Sequence, residues 1–182
     1  MPMTFEELQA LAETRHSIRS FDVKKEIKKE DVEKILNIGH LAPSINNTQP
    51  WNFHVIYNSA LKQDLLDAAC YGNFIPGASV FIIITCDKNA CPQCVPHGVV
   101  LWNPKELEYS CAGAVNEMML AATSLGIGSC WVSLHHGKAH DLLKLSPGHV
   151  VVGGLMLGYP AEHLPISEHD RKPLKDVTTV YP

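Results

Sequence analysis

The chain has 182 residues, 46% of them apolar and 19% charged, an ordinary globular balance that sets aside disordered, collagen-like and low-complexity readings. Fifteen Lys and Arg against nineteen Asp and Glu leave a net charge of −4, which gives no electrostatic footprint for nucleic acid and no polybasic run for a membrane surface. The apolar run from Ser79 to Cys86 is far too short to cross a bilayer, and the N-terminus lacks the basic-then-apolar order of a signal peptide, so the expectation is one cytoplasmic domain over 1–182.

In chain order, Thr4 and Glu7 have the spacing of a capping box, and Phe5, Leu8, Leu11 and Ala12 recur at helical intervals behind it. Lys29, Glu30 and Asp31 open a second helix with acids in its first turn. Val32, Ile35, Leu36 and Gly39 form its buried stripe, and Pro43 stops it at Ala42. Trp51–Tyr57 alternates at period two and reads as a strand, Ser59–Cys70 as a third helix, and Val80–Ile84, apolar on both faces, as a central strand. Asp87–Lys105 is a Pro- and Cys-rich loop. A long helix over Glu106–Leu125 follows, with Gly126 placed for a left-handed cap. Ser129–Leu134 and Val150–Leu157 read as strands, separated by a short helix over Ala139–Leu145, and the chain beyond Pro160 is polar and Pro-rich. Mixed order of this kind points to an α+β or α/β layered architecture. The stretch 160–182 cannot build a core of its own and is expected to be an extended arm across a partner subunit or a frayed terminus.

Three segments carry candidate chemistry. Arg15, His16, Ser17 and Arg19 place two guanidinium groups beside hydroxyls, which suits phosphate by geometry as well as charge; a solvated basic turn is the plain alternative. Between Pro43 and Pro50 lie Ser44, Asn47 and Gln49, whose hydroxyl and amide groups match a flat heterocycle with alternating donors and acceptors, or simply make a turn-rich connector. Gly126 and Gly128 allow close backbone approach ahead of Trp131, Val132, Ser133 and Leu134. Neither G-x-G-x-x-G nor a P-loop pattern occurs, and no G-x-S-x-G nucleophile is present.

Taken together, Arg-His-Ser-x-Arg-x-Phe, Ala-Pro-Ser-x-x-Asn-x-Gln-Pro-Trp, Gly-x-Gly-Ser-Cys-Trp and a late Arg171-Lys172-Pro173 resemble the nitroreductase family of flavoproteins, over about Thr4–Thr178. The resemblance implies a three-layer α+β fold with a central, mostly antiparallel sheet flanked by helices, and a homodimer that exchanges C-terminal arms. It implies FMN at the subunit interface and NAD(P)H as donor, with electron-poor acceptors such as nitroaromatics or quinones reduced in a ping-pong cycle. By position, Arg15, Ser17 and Arg171 would hold the phosphate, with His16 packing or hydrogen-bonding beside the cofactor. Arg19 would face the N1–C2=O edge, where a cation stabilises the charge gained on reduction. Asn47 would meet the pyrimidine edge, and Pro43, Ser44 and Gln49 would come from the other subunit. Trp131–Leu134 would lie along one ring face, with the Ser133 or Leu134 N–H near N5. No side chain is expected to act as a nucleophile, and the small-molecule acceptor is the only other partner implied.

Rival readings remain. A specialised flavin enzyme of dehalogenase or dehydrogenase type is one. Another is a redox- or metal-sensing module built on Cys91, Cys94 and His97 with Cys86 or Cys111 as a fourth ligand; reduced thiols in a variable loop are the alternative to it. His135, His136 and His140 are expected in a solvated turn rather than at zinc, since H-E-x-x-H is lacking, and Cys70 and Cys130 as small buried hydrophobes. Many relatives have an Asp near the start of the long helix, where this chain has Cys111.

Overall fold

A computed structural model describes residues 3–68, 77–90, 105–161 and 170–181. Helix α1 (Phe5–Thr14) begins at the expected capping box, with Thr4 Oγ1 accepting from the Glu7 N–H and the Glu7 carboxylate accepting from the Thr4 N–H. Helix α2 (Lys29–His40) ends two residues ahead of Ala42, in keeping with the bias that Pro43 imposes on the residue before it. Strand β1 (Trp51–Ile56), helix α3 (Ser59–Asp67) and strand β2 (Val80–Asp87) follow. Then come helix α4 (Lys105–Ser124), strand β3 (Gly128–Val132), helix α5 (His136–Leu143) and strand β4 (His149–Gly158). Gly126 closes α4 at φ +70°, the left-handed region expected there.

The four strands form one sheet in the order β1-β2-β4-β3, every pair antiparallel. The alternation along β2 shows why it is central. Val80, Ile82, Ile84 and Cys86 face α2 and α4, while Phe81 and Ile83 face Leu65 of α3 and Ala139 of α5. Both sets are fully buried, so the strand has no polar face. The result is an α+β fold with the sheet between two helical layers.

Two sequence expectations change. Helix α5 starts at His136 rather than near Ala139, so His136 is helical rather than in a turn, with Lys144 capping in the left-handed region. Helix α1 has no buried residue: Met3, Phe5 and Leu8 are exposed, Phe5 at 72%. Among the described residues its apolar stripe is left largely uncovered, with only Leu11 half-buried. The same holds for 170–181, where Leu174, Val177, Val180 and Tyr181 are all exposed.

Candidate functional site

The residues singled out by sequence fall into three places. The first is the β3 edge. Leaving α1 at its C-cap Arg15, the chain runs alongside β3, with a parallel bridge pairing Ser17 to Ser129. The Ile18 N–H donates to the Ser129 carbonyl at 2.9 Å. Gly128 permits this contact, since a Cβ there would stand 2.9 Å from Ile18 Cγ1 and 3.0 Å from Ile18 Cβ. Ser17 is thereby brought next to Ser129 and Arg19 near Cys130, on the strand that carries Trp131 and Val132 more than a hundred residues later in the chain.

Within this group Arg15 is half-buried and Arg19 exposed, and neither forms an ion pair among the described residues. His16 Nδ1 lies 2.9 Å from the Thr14 carbonyl. Val132 and Leu134 are buried, Trp131 is half-buried, and Ser133 is exposed. The Cys130 thiol is buried as expected; desolvation pushes its pKa up, and the nearby Arg19 charge opposes that shift. Ser129 Oγ is buried with no hydrogen-bond partner among the described residues.

The second place is the loop leading into β1, at the opposite sheet edge. Ser44, Asn47 and Gln49 occupy one tight turn: Ser44 Oγ accepts from the Gln49 N–H at 2.9 Å, and the Gln49 side-chain amide donates to the Asn47 carbonyl at 3.1 Å. Asn47 therefore shares one hydrogen-bonded turn with Ser44 and Gln49, and Pro43 precedes Ser44 in the chain. β1 and β3 are three strand spacings apart, roughly 14 Å at about 4.8 Å each.

The third place is the exposed 170–181 segment, where Arg171 Nη1 donates to the Asp170 carbonyl at 2.9 Å. It follows residues 162–169, which are outside the described set.

Residues 12–159 match the sequence pattern of the Nitroreductase family. The chain belongs to the nitroreductase family. An Archaeoglobus fulgidus protein named "Putative NADH dehydrogenase/NAD(P)H nitroreductase" is 32% identical over 170 residues, spanning 91% of this chain and 92% of that one. The crystal structure of "a putative nitroreductase in complex with fmn" from Desulfovibrio desulfuricans matches with a TM-score of 0.78 and 29% identity, over 96% of both chains. A Bacillus subtilis protein matches in fold at a TM-score of 0.83 and 18% identity, over 98% of this chain and all of its own. This nitroreductase-family chain is accordingly an NAD(P)H-dependent oxidoreductase.

The β3-edge residues fit a flavin phosphate and ring edge. They offer two guanidinium groups without a carboxylate partner among the described residues, an exposed Ser133, and a buried Ser129 hydroxyl without a hydrogen-bond partner among the described residues. Cys91, Cys94 and His97 lie outside the described residues, as does Cys70. Cys86 and Cys111 meet in the core between β2 and α4. The Cys111 thiol donates to Cys86, which lowers the Cys86 pKa and raises that of Cys111. Among the described residues no cluster of three or more His, Cys, Asp or Glu could hold a metal. Sequence reasoning passed over His40 and Ser110, which anchor the 43–49 loop from helices α2 and α4.

Proposed function

We propose that two copies of this chain form a homodimer, a single FMN-binding domain in each, that binds FMN between the subunits and reduces nitroaromatics, quinones or similar electron-poor acceptors with NAD(P)H in a ping-pong cycle. The observation that carries the reading is the Ser17–Ser129 bridge. It brings Ser17 and Arg19 alongside β3, the strand that carries Trp131 and Val132, and neither Arg15 nor Arg19 has an ion-pair partner among the described residues.

When bound, FMN supplies hydride transfer through N5, so the protein needs only to bind and orient. Arg15 and Ser17, with Arg171 from the C-terminal segment, hold the phosphate by charge-assisted hydrogen bonds. His16 packs beside them. Arg19 stands at the N1–C2=O edge and balances negative charge there. Trp131, Val132, Ser133 and Leu134 line one face, and a Ser133 or Leu134 N–H donates toward N5.

Pro43, Ser44, Asn47 and Gln49 come together from the second subunit. The width of the sheet between the two half-sites of one chain supports that assignment, as does the uncovered apolar surface of α1 and of 170–181. The arm 160–182 crosses onto the partner. No helix among the described residues is long and apolar enough to cross a membrane. The free thiols of Cys86, Cys111 and Cys130 support a reducing, cytoplasmic setting.

Purified protein supplied with FMN should be yellow, lose its visible absorbance on anaerobic addition of NAD(P)H, and regain it when a quinone is added. Protein that is colourless once unbound FMN has been removed defeats the proposal.

A further inference from the structure

We propose that His40 is a positioning residue for the 43–49 loop, acting through Trp51; the inference rests on the function proposed above. The loop has an unusual backbone. Asn46, Asn47 and Gln49 adopt φ values of 43°, 57° and 46°, a left-handed region that side chains other than glycine avoid. Three such residues within four positions persist only where their surroundings over-determine them.

Most of the bonding is internal. The Asn47 N–H donates to the Ser44 carbonyl at 3.0 Å, the Thr48 N–H to the Ile45 carbonyl at 2.9 Å, and the Gln49 N–H to Ser44 Oγ. These bonds set the curl of the loop but not where it sits on the body. Two side-chain anchors do that. Ser110 Oγ of α4 accepts from the Ile45 N–H at 3.1 Å, and His40 Nδ1, the last residue of α2, accepts from Trp51 Nε1–H at 3.1 Å.

His40 and Trp51 are the residues at which helix α2 ends and strand β1 begins, so their bond closes the ends of the intervening segment like a clasp. The indole is itself fixed. It is buried and stacks on Phe53 with ring centroids 6.4 Å apart and 6° between planes, while the imidazole meets it edge-on at 6.1 Å and 87°. An indole N–H can only donate, so His40 must present an unprotonated Nδ1 and keep its proton on Nε2. Removing the imidazole takes away the only protein acceptor seen for the indole N–H among the described residues, and with it the tie at the root of the loop. The exposed amides of Asn47 and Gln49 then lose their fixed presentation to the partner subunit.

The test compares His40→Ala with His40→Asn, whose amide oxygen can stand near the place of Nδ1. FMN titration of the full chain is read beside the indole N–H resonance of Trp51 in the flavin-free protein. The account expects H40A to bind FMN about fivefold more weakly and to shift the Trp51 resonance, with H40N restoring both to near wild type. A purely structural role would lower the melting temperature of H40A and leave FMN affinity untouched, which overturns the proposal. An H40N variant that behaves like H40A overturns it as well. A wild-type chain that takes up no FMN defeats the underlying site reading, a result distinguishable from either.

Discussion

Gly128→Ala is the sharpest probe of how the Arg15–Arg19 segment is held. The added Cβ would lie 2.9, 3.0 and 3.1 Å from Ile18 Cγ1, Cβ and Cγ2. The two γ carbons can swing to another rotamer, but Cβ is tied to the backbone, so the segment itself must move away from β3. That movement stretches the 2.9 Å bond from the Ile18 N–H to the Ser129 carbonyl and displaces Ser17 and Arg19 on either side. Overpacking of this kind costs about 1–3 kcal/mol, and for a chain of this length each kcal/mol lowers the melting temperature by about 2–4 °C. FMN binding should weaken by about tenfold, because one charge-assisted contact of roughly 1.5 kcal/mol is compromised. Thermal unfolding followed by circular dichroism reads the first effect, and flavin fluorescence quenching the second. Ile18→Ala removes both γ carbons, so the double variant should lose less than the sum of the single changes. If Gly128→Ala melts with the wild type and binds FMN equally well, the segment is not pressed against β3 and the site is wrongly assembled.

Three further outcomes follow from the same geometry. Arg15→Ala should weaken FMN binding by about 10- to 100-fold, with little change in melting temperature, since its guanidinium has no ion-pair partner within the described residues; isothermal titration checks it, and unchanged affinity would remove Arg15 from the phosphate site. His54 donates a pH signature: burial, and then the neighbouring His149 charge, hold its pKa below the usual 6.5. A depressed histidine stabilises the fold fully above the unfolded value and loses that contribution as pH falls below about 6.5 toward the folded value. Urea midpoints between pH 7.5 and 5 should therefore fall less steeply in His54→Gln than in the wild type, and parallel slopes would contradict this. Cys86 and Cys111, both fully buried, should resist a thiol reagent in the native state and react on unfolding; rapid native labelling at either would mean that the core between β2 and α4 opens.

What could be read from the sequence follows what local physics controls. The Thr4–Glu7 box, the two-faced β2 strand and the long α4 stripe are short-range patterns, and each formed where its pattern lay. Strand order is not local. Nothing in Trp51–Ile56 or Gly128–Val132 announces that they are opposite edges of one sheet. The left-handed run at Asn46, Asn47 and Gln49 was also hidden. Asn tolerates that region, but Gln49 adopts it only because Ser44 Oγ holds its N–H. His40 and Ser110 carry no sequence signal of their own, because each matters only through a side-chain bond made once the chain has folded, to Trp51 and to the Ile45 N–H. Cys86 and Cys111 considered as metal ligands share the same origin: their spacing said nothing of their meeting in the core.

The central claim is that each flavin site takes Arg15 from one chain and the Ser44–Gln49 turn from another, and subunit mixing tests it most directly. Arg15→Ala and Asn47→Ala chains, each purified with its FMN sites weakened, are unfolded together, refolded and supplied with limiting FMN. A two-fold dimer assembled at random should recover about a quarter of the wild-type tight sites, since half the dimers are mixed and each holds one intact site. A mixture that binds no more FMN than the two variants measured apart would contradict the shared site.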